Sequence, residues 1–306
     1  MIVIHIVNDY HIASADPQSR AVLVTGCSSG IGRAAALALA RAGFPVWASA
    51  RNAGGLGELE RAGCRVLELD VTDEQSRIAA VEQVEAEHGA VGVLVNNAGH
   101  GGGGPVEEVS LAMVRETFET NVFAVIRLCQ LVLPGMRARR SGLIVNLGSA
   151  AGLVTPPTGC PYAMTKYAME SLCDALRPEV APFGIRVTLI EPGAVRTRFM
   201  ANSELHQSGG DEHSPYSVYK ANVAKMAARA HRDGAPGVLE AGDVAAVILR
   251  AVTASRPKAR YKVGSQARLA PVARRVLGDR GWDAFMRRMV PFPAPESMPL
   301  LDYFDY

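Results

Sequence analysis

The first two thirds of the chain alternate short apolar runs with longer amphipathic stretches. Hydrophobic residues at consecutive positions are typical of parallel strands that are buried on both faces. This pattern predicts strands at Ala21–Thr25, Val46–Ala50, Val66–Leu69, Val91–Val95, Gly142–Leu147 and Ile185–Ile190. The stretches between them predict helices at Ile31–Ala42, Asp73–Glu87, Ala112–Arg139 and Pro161–Ala181.

Repeated strand–helix units predict an α/β fold: a single domain, with a doubly wound parallel sheet and helices on both faces. We assign residues 20–306 to this domain and residues 1–19 to an amino-terminal extension. In such sheets, ligands bind beyond the carboxyl ends of the strands. The motifs described below follow strand ends or lie on helices facing them.

The regular pattern breaks after the sixth strand. Residues 197–235 contain a turn-rich segment, Ser208–Glu212, and are interpreted either as a lid over a substrate or as a surface loop. His213 and Tyr216 in this region either contact the substrate or, as the favoured alternative, belong to a solvated lid. The pattern then predicts a helix, a strand and a basic helix, the last two within a carboxyl-terminal extension from about residue 255 to 306: Asp243–Ala254, Arg260–Val263 and Leu269–Met289.

Composition narrows the class of protein. The chain has 306 residues, of which 20% are charged, and a net charge of +2, which gives no electrostatic basis for a nucleic-acid partner. Five cysteines without a CxxC motif fit reduced thiols and a cytoplasmic protein. No apolar run approaches the ~18 residues of a transmembrane helix.

A glycine-rich turn follows the first strand and reads Thr-Gly-Cys-Ser-Ser-Gly-Ile-Gly over residues 25–32. Glycine permits a tight turn and close approach of the backbone, and the following helix presents free N–H groups to an anion. We therefore predict a dinucleotide phosphate site. The alternative is an ordinary glycine-rich strand–helix turn. The residues assigned to this site are Gly26, Ser28, Ser29, Gly30, Ile31 and Gly32.

Arg51 decides the predicted cofactor. NAD sites usually place a carboxylate after the second strand to bind the ribose hydroxyl. Here Arg51 occupies the strand end and the next acid is Glu58. A guanidinium pairs strongly with a phosphate, so NADP(H) is favoured over NAD(H), with Arg33 as a second cation. The alternative is an exposed arginine without a ligand.

Further cofactor contacts are predicted at the ends of later strands. Asp70 either contacts adenine with its neighbour or caps a helix, and small residues after the fourth strand allow close approach of the backbone. The exit from the sixth strand is a Pro-Gly turn that exposes backbone groups to the nicotinamide amide. The residues in this set are Asp70, Val71, Asn97, Ala98, Gly99, Pro192, Gly193, Val195 and Thr197.

Tyr162 and Lys166 are four residues apart in a helical stretch and share one face. We expect the Lys166 ammonium to lower the pKa of the Tyr162 phenol, because an opposite charge stabilises the tyrosinate. At ~4 Å this attraction is worth at most about 4 kcal/mol. Ser149 would hold the substrate oxygen, and Asn121 would extend the proton path. Each residue alone has an ordinary structural explanation, but together they predict proton transfer to or from an alcohol oxygen.

These motifs resemble the classical short-chain dehydrogenase/reductase family over about residues 20–200. The Ile190–Gly193 exit and the long carboxyl-terminal extension are similar to its 17β-hydroxysteroid and retinol dehydrogenase-like branch. The resemblance implies a catalytic tetrad of Asn121, Ser149, Tyr162 and Lys166, with Tyr162 and Lys166 also contacting the cofactor. It also implies a single Rossmann-type domain and a homodimer or homotetramer. Gly101–Gly104 and the amino-terminal extension depart from that branch.

Together, the motifs and the resemblance predict an NADP(H)-dependent oxidoreductase that interconverts a ketone and a secondary alcohol on an apolar small molecule. Ketone reduction is the favoured direction. No metal site is expected. Two alternatives remain open: a tailoring ketoreductase on a biosynthetic intermediate, and a catalytically idle NADP(H)-binding sensor. The predicted substrate walls are His100, Leu153, Pro156 and Cys160.

Overall fold

A seven-stranded parallel sheet forms the centre of the computed structural model, which describes residues 19–197, 199, 214–230 and 237–291. The described strands are β1 Val22–Val24, β2 Val46–Ala50, β3 Arg65–Glu68, β4 Val93–Asn96, β5 Gly142–Leu147, β6 Ile185–Pro192, β7 Val195–Arg196, β8 Leu239–Glu240 and β9 Arg260–Val263. In the sheet the order is β3-β2-β1-β4-β5-β6-β9, and β7 pairs separately with β8.

Helices cover both faces of this sheet. They are α1 Gly30–Arg41, α2 Gly57–Arg61, α3 Glu74–His88, α4 Leu111–Phe118, α5 Ala124–Ala138, α6 Cys160–Val180, α7 Ser217–Ala230, α8 Ala241–Thr253 and α9 Ser265–Met289. A π-helical segment, Glu119–Phe123, joins α4 to α5.

Alternation along the strands creates two hydrophobic cores. Leu23 of β1 and Leu189 of β6 are fully buried against the side of the sheet that carries α3, α5 and α6. Val24 and Ile190, their neighbours in sequence, pack on the opposite side with α1 and α8. Because successive side chains of a strand point to opposite faces, a run of consecutive apolar residues fills both cores. The doubly wound fold predicted from those runs is confirmed.

The prediction of one regular helix at Ala112–Arg139 is wrong. The helix is interrupted at Glu119–Phe123, where the backbone widens into a π-helix around Asn121. Asparagine is a weak helix former, and here its side chain bonds to another loop instead of facing solvent. Such π segments are frequent at functional sites. The predicted Leu269–Met289 helix begins earlier, at Ser265, and is kinked at Gly278.

Part of the predicted lid is described. It begins directly after β7, which pairs with β8, and residues 217–230 form the helix α7. The proposed lid residue His213 lies outside the described residues, as do the amino-terminal extension up to residue 18 and residues 292–306. Within the described part of the chain, no helix is long and apolar enough to cross a membrane.

Candidate active site

Thr25 connects the turn after β1 to the turn after β4. Its Oγ1 accepts hydrogen bonds from the backbone N–H groups of Asn97, at 3.0 Å, and Ala98, at 2.9 Å. In return, Asn97 Nδ2 donates to the carbonyl oxygens of Thr25, at 2.8 Å, and Gly26, at 3.1 Å. Asn97 was predicted as a cofactor wall. The structure shows that it also fastens the glycine-rich turn to the neighbouring strand.

The glycines of this turn are required by close contacts. Gly26 has a φ of +73°, and a Cβ atom there would lie 2.8 Å from Ala98 Cα. A Cβ atom on Gly32 would lie 2.4 Å from the carbonyl oxygen of Gly26 and 2.4 Å from Asn97 Nδ2. A side chain at either position would push the turn away from β4. The glycine pattern therefore reflects packing as well as space for a ligand.

The start of α1 suits an anion. Ser29 is its N-cap residue, but the Ser29 side chain makes no capping hydrogen bond, and the first turn holds no acidic residue. The first N–H groups of a helix have no intrahelical acceptors and lie at the positive end of its dipole. These features are compatible with a phosphate, and its binding here stays a prediction. A cavity of about 390 Å³ opens beside it, lined by Ser28, Ser29, Gly30, Arg33, Ala34, Leu37, Arg196, Thr197 and Ala241.

Arg51 follows the carboxyl end of β2 and is exposed. Among the described residues it forms no ion pair, whereas Arg33 is paired with Glu58. Arg51 is therefore available to a ligand phosphate, and Arg33 is available only if it leaves Glu58. Partial burial acts to raise the pKa of Asp70. Hydrogen bonds from Thr72 and the charge of Arg51 outweigh this effect and lower that pKa.

The structure decides one alternative left by the sequence for Asp70. Its Oδ1 accepts hydrogen bonds from Thr72 N, at 2.9 Å, and Thr72 Oγ1, at 2.7 Å. The N-cap of α3 is Asp73, whose Oδ1 accepts from Ser76 N at 2.6 Å. Asp70 therefore stabilises the turn after β3 and does not cap the helix.

Ser149, Tyr162 and Lys166 come together behind β5. Ser149 Oγ accepts a hydrogen bond from Ala151 N at 3.1 Å, and its hydroxyl lies close enough to the Tyr162 phenol to lower the pKa of that group. Lys166 Nζ lies 5.4 Å from the centroid of the Tyr162 ring and donates to the carbonyl oxygen of Leu147 at 2.8 Å. This is the clustering that the sequence predicted.

The predicted effect of Lys166 on Tyr162 is wrong for the protein alone. Burial raises the pKa of Tyr162 to about 12, and the neighbouring Ser149 hydroxyl offsets only part of this rise. Burial also lowers the pKa of Lys166 to about 8. Removing both groups from water disfavours both charged forms. The Lys166 amine lies over the phenol ring and bonds to a backbone carbonyl, so its attraction for a tyrosinate is weaker than expected.

Asn121 acts on a loop and on α6. Its Oδ1 accepts from His100 N at 2.7 Å, and its Nδ2 donates to His100 O at 2.8 Å. Nδ2 also lies 3.1 Å from Thr165 Oγ1, which donates to the Tyr162 carbonyl oxygen at 2.7 Å. Asn121 therefore fixes the loop after β4 against the helix that carries Tyr162 and Lys166. Thr165, buried in this link, was not identified from the sequence.

The mouth of the site contains predicted and unpredicted residues. His100 is half-buried on the loop held by Asn121, Leu153 and Cys160 are half-buried, and Pro156 is exposed. The Phe199 ring packs 5.4 Å from the Tyr162 ring. No local sequence signal identified Phe199, because its position depends on how the segment after β7 folds back.

The glycine run after His100 is buried beneath the loop that precedes α6. Gly104 N donates to Thr158 O at 2.7 Å, and a Cβ atom on Gly103 would lie 2.7 Å from the same oxygen. The run lets two backbones pack closely at the entrance. Its departure from the related branch therefore has a structural explanation.

The remaining predicted cofactor residues lie at the same edge of the sheet. Pro192 ends β6, and a Cβ atom on Gly30 would lie 3.0 Å from Thr197 Cγ2, so Thr197 borders the glycine-rich turn. The others occupy a helix start, a buried position and loops or short strands: Ile31, Val71, Ala98, Gly99, Gly193 and Val195. Val71 and Val195 pack against the hydrophobic cores, so only their backbones are placed to face a ligand.

The described part of the chain contains no candidate metal site. No group of three or more His, Cys, Asp or Glu residues is arranged to hold a metal ion there. All five cysteines are unpaired, and four of them are buried.

The chain is similar in sequence to a family model and to several named proteins. The family model described as short chain dehydrogenase matches residues 20–209. Estradiol 17-beta-dehydrogenase 1 of Rattus norvegicus is 36% identical over 286 residues, covering 89% of this chain and 80% of that protein. The NADPH-dependent 3-dehydrocapnine reductase of Ornithobacterium rhinotracheale is 34% identical over 275 residues, covering 86% and 95%.

A solved structure shows the same fold. The short chain dehydrogenase/reductase from Burkholderia phymatum in complex with NAD is 27% identical to this chain and has a TM-score of 0.72. The match covers 92% of this chain and 99% of the other. The resemblance identified from the sequence is confirmed, and the cofactor named for this neighbour is a nicotinamide dinucleotide.

Replacing Thr25 by valine tests the link between β1 and β4. The T25V substitution keeps the shape but leaves the N–H groups of Asn97 and Ala98 without an acceptor. An unsatisfied buried polar group costs about 1–3 kcal/mol, so the free energy of unfolding should fall by about that amount in urea titrations. T72V is the control at an exposed turn and should cost less. Equal losses in the two variants would contradict a special role for Thr25.

Proposed function

This chain belongs to the short chain dehydrogenase family, and we propose that it is an NADP(H)-dependent enzyme that interconverts a ketone and a secondary alcohol on an apolar substrate. It is an oxidoreductase of that family. The observation that carries the proposal is the position of the Ser149 hydroxyl next to the Tyr162 phenol, beside Lys166 and at the same sheet edge as the glycine-rich turn.

A bound nicotinamide supplies or accepts the hydride, and the chain handles the proton. Ser149 holds the substrate oxygen beside Tyr162. During ketone reduction, the Tyr162 phenol gives its proton to that oxygen as the carbonyl becomes an alcohol. A phenol whose pKa is raised to about 12 stays protonated near neutrality, as a proton donor in this direction must be. Lys166 anchors the cofactor ribose and stabilises the tyrosinate that remains.

The preference for NADP(H) rests on Arg51. A cationic side chain without an ion pair at the end of β2 attracts a 2′-phosphate, and no carboxylate stands there to bind a ribose hydroxyl or repel the phosphate. The relative from Ornithobacterium rhinotracheale is named as NADPH-dependent, which supports the same choice. The neighbour solved with NAD shows that the fold alone does not fix the cofactor.

The substrate class is proposed from the walls and the relatives. Phe199 packs against Tyr162, the predicted walls Leu153 and Pro156 are apolar, and one relative is named for estradiol, an apolar steroid. Steroid-, retinoid- and polyketide-like ketones are therefore the first candidates. We also propose a homodimer or homotetramer, and a cytoplasmic location on the basis of unpaired cysteines.

Replacing Tyr162 by phenylalanine tests the proposed acid. Y162F removes the transferable proton but keeps the ring beside Phe199, so NADPH oxidation with a responsive ketone should be abolished. Binding of NADPH, measured by its fluorescence, should change little. Y167F is the matched control, because Tyr167 lies on the same helix with 43% of its surface exposed. Turnover that survives Y162F would refute the proposed chemistry.

Reversing the charge at Arg51 tests the cofactor assignment. R51D removes the cation and places a carboxylate where NAD sites carry one, so the ratio of NADPH affinity to NADH affinity should fall by at least tenfold. R41D, at the exposed end of α1, introduces the same charge change as a control. An R51D enzyme that still prefers NADPH would contradict the assignment.

A further inference from the structure

Two carboxyl groups meet without a donor between β6 and α6. Glu191 is fully buried, and neither of its oxygens has a hydrogen-bond donor among the described residues. Glu170 Oε1 is buried without a donor as well. The two carboxyl groups are close enough for Glu170 to raise the pKa of Glu191. Two carboxylates cannot form a hydrogen bond unless one of them carries a proton.

The location of this pair links it to the candidate active site. Glu170 lies four residues beyond Lys166 on α6, and Lys166 lies four residues beyond Tyr162, so the three side chains share one face of the helix. Glu191 immediately precedes Pro192 and Gly193, which form the proposed nicotinamide-facing exit of β6. The pair therefore lies between the two elements that must keep their spacing for proton and hydride transfer.

The surrounding charges favour one proton for the pair. Arg260 of β9 donates to Glu170 Oε2 at 2.8 Å and to Asp174 Oδ2 at 2.7 Å. Arg260 is thus bonded to two carboxylates, one of which is Glu170. The other charged groups are Lys262, which is opposite Glu191 in the strand register but exposed, and Arg177, which bonds to Asp174. The remaining thiol of this region, Cys173, is kept neutral because burial raises its pKa to about 11.

We propose that Glu191 is a positioning residue that carries a proton and donates it in a hydrogen bond to Glu170. This bond ties Pro192 and Gly193 to the face of α6 that carries Tyr162 and Lys166. Loss of the proton leaves two buried carboxylates facing each other, and their repulsion moves the exit of β6 away from α6. The proposal rests on the proposed function only for its effect on cofactor binding.

The expected pH dependence follows from burial. Burial, together with the hydrogen bond and charge of Glu170, raises the pKa of Glu191 from 4.5 to about 8. The unfolded chain loses the proton near 4.5 and the folded chain near 8, so this contribution to stability is complete below the lower pH. It declines as the pH rises through the higher value.

Replacing Glu191 by glutamine provides the test, because an amide donates a hydrogen bond to Glu170 and does not titrate. The wild-type melting temperature should fall relative to that of E191Q as the pH rises from about 5 to about 8, and the difference should then level off. An infrared band of a protonated carboxyl group should be present in the wild type at neutral pH and absent in E191Q. E179Q, at an exposed glutamate of the same helix, should keep the wild-type behaviour.

Cofactor affinity tests the positioning role. The dissociation constant of NADPH should rise several-fold for the wild type between about pH 7 and pH 9, within the limit of tenfold per pH unit for one proton. In E191Q the dissociation constant of NADPH should stay nearly the same over this pH range. In E191A it should be raised at every pH. Parallel pH profiles of wild type and E191Q would overturn the proposal. If no variant binds NADPH, the proposed function fails, and the infrared band and melting curves still decide whether Glu191 carries the proton.

Discussion

The hydroxyl of Thr25 fixes the relation between the two central strands of the sheet. Its oxygen accepts hydrogen bonds from two backbone N–H groups of the turn after β4, and the Asn97 side chain donates two hydrogen bonds to the turn after β1. The turn can approach that closely only because glycine occupies positions 26 and 32. The uncapped start of α1 and the position of Thr197 follow from this turn, so the proposed phosphate site depends on four hydrogen bonds at one strand pair.

Burial sets the electrostatics of the other half of the site. Tyr162, Lys166 and Glu170 succeed one another along one face of α6, and that face is largely shielded from water. Desolvation disfavours the charged form of each ionisable group unless a partner compensates. Tyr162 consequently retains its proton, Lys166 becomes a weaker base, and the Glu170–Glu191 pair requires a shared proton. A single physical cause thus accounts for a proton donor, its neighbouring cation and the support beneath them.

The sequence was sufficient for the fold because its signals are local. Consecutive apolar residues predicted the buried strands, and the glycine spacing predicted the turn that precedes α1. The convergence of Ser149, Tyr162 and Lys166 could also be predicted, since each follows a strand end or faces one. These inferences depend on residues close together in the chain or on general rules for parallel sheets.

Other features depend on contacts between distant segments. Phe199 packs on Tyr162, and Asn121 bonds to His100, only after the chain has folded, so no periodicity reveals them. The π-helical turn at Asn121 is part of the same contact. The direction of the Tyr162 pKa could not be predicted either, because the attraction of a cation is visible in a sequence and the extent of desolvation is not.

The central claim is that the Tyr162 phenol lies beside the reactive carbon of a nicotinamide whose phosphates bind at the start of α1. A crystal structure of the NADP⁺ complex measures this most directly. We expect phosphate oxygens to accept hydrogen bonds from the N–H groups of Ser29 and Gly30. We expect the nicotinamide ring to lie within reach of the Tyr162 hydroxyl. A bound cofactor whose ring lies elsewhere, with the phenol directed away from it, would contradict the account.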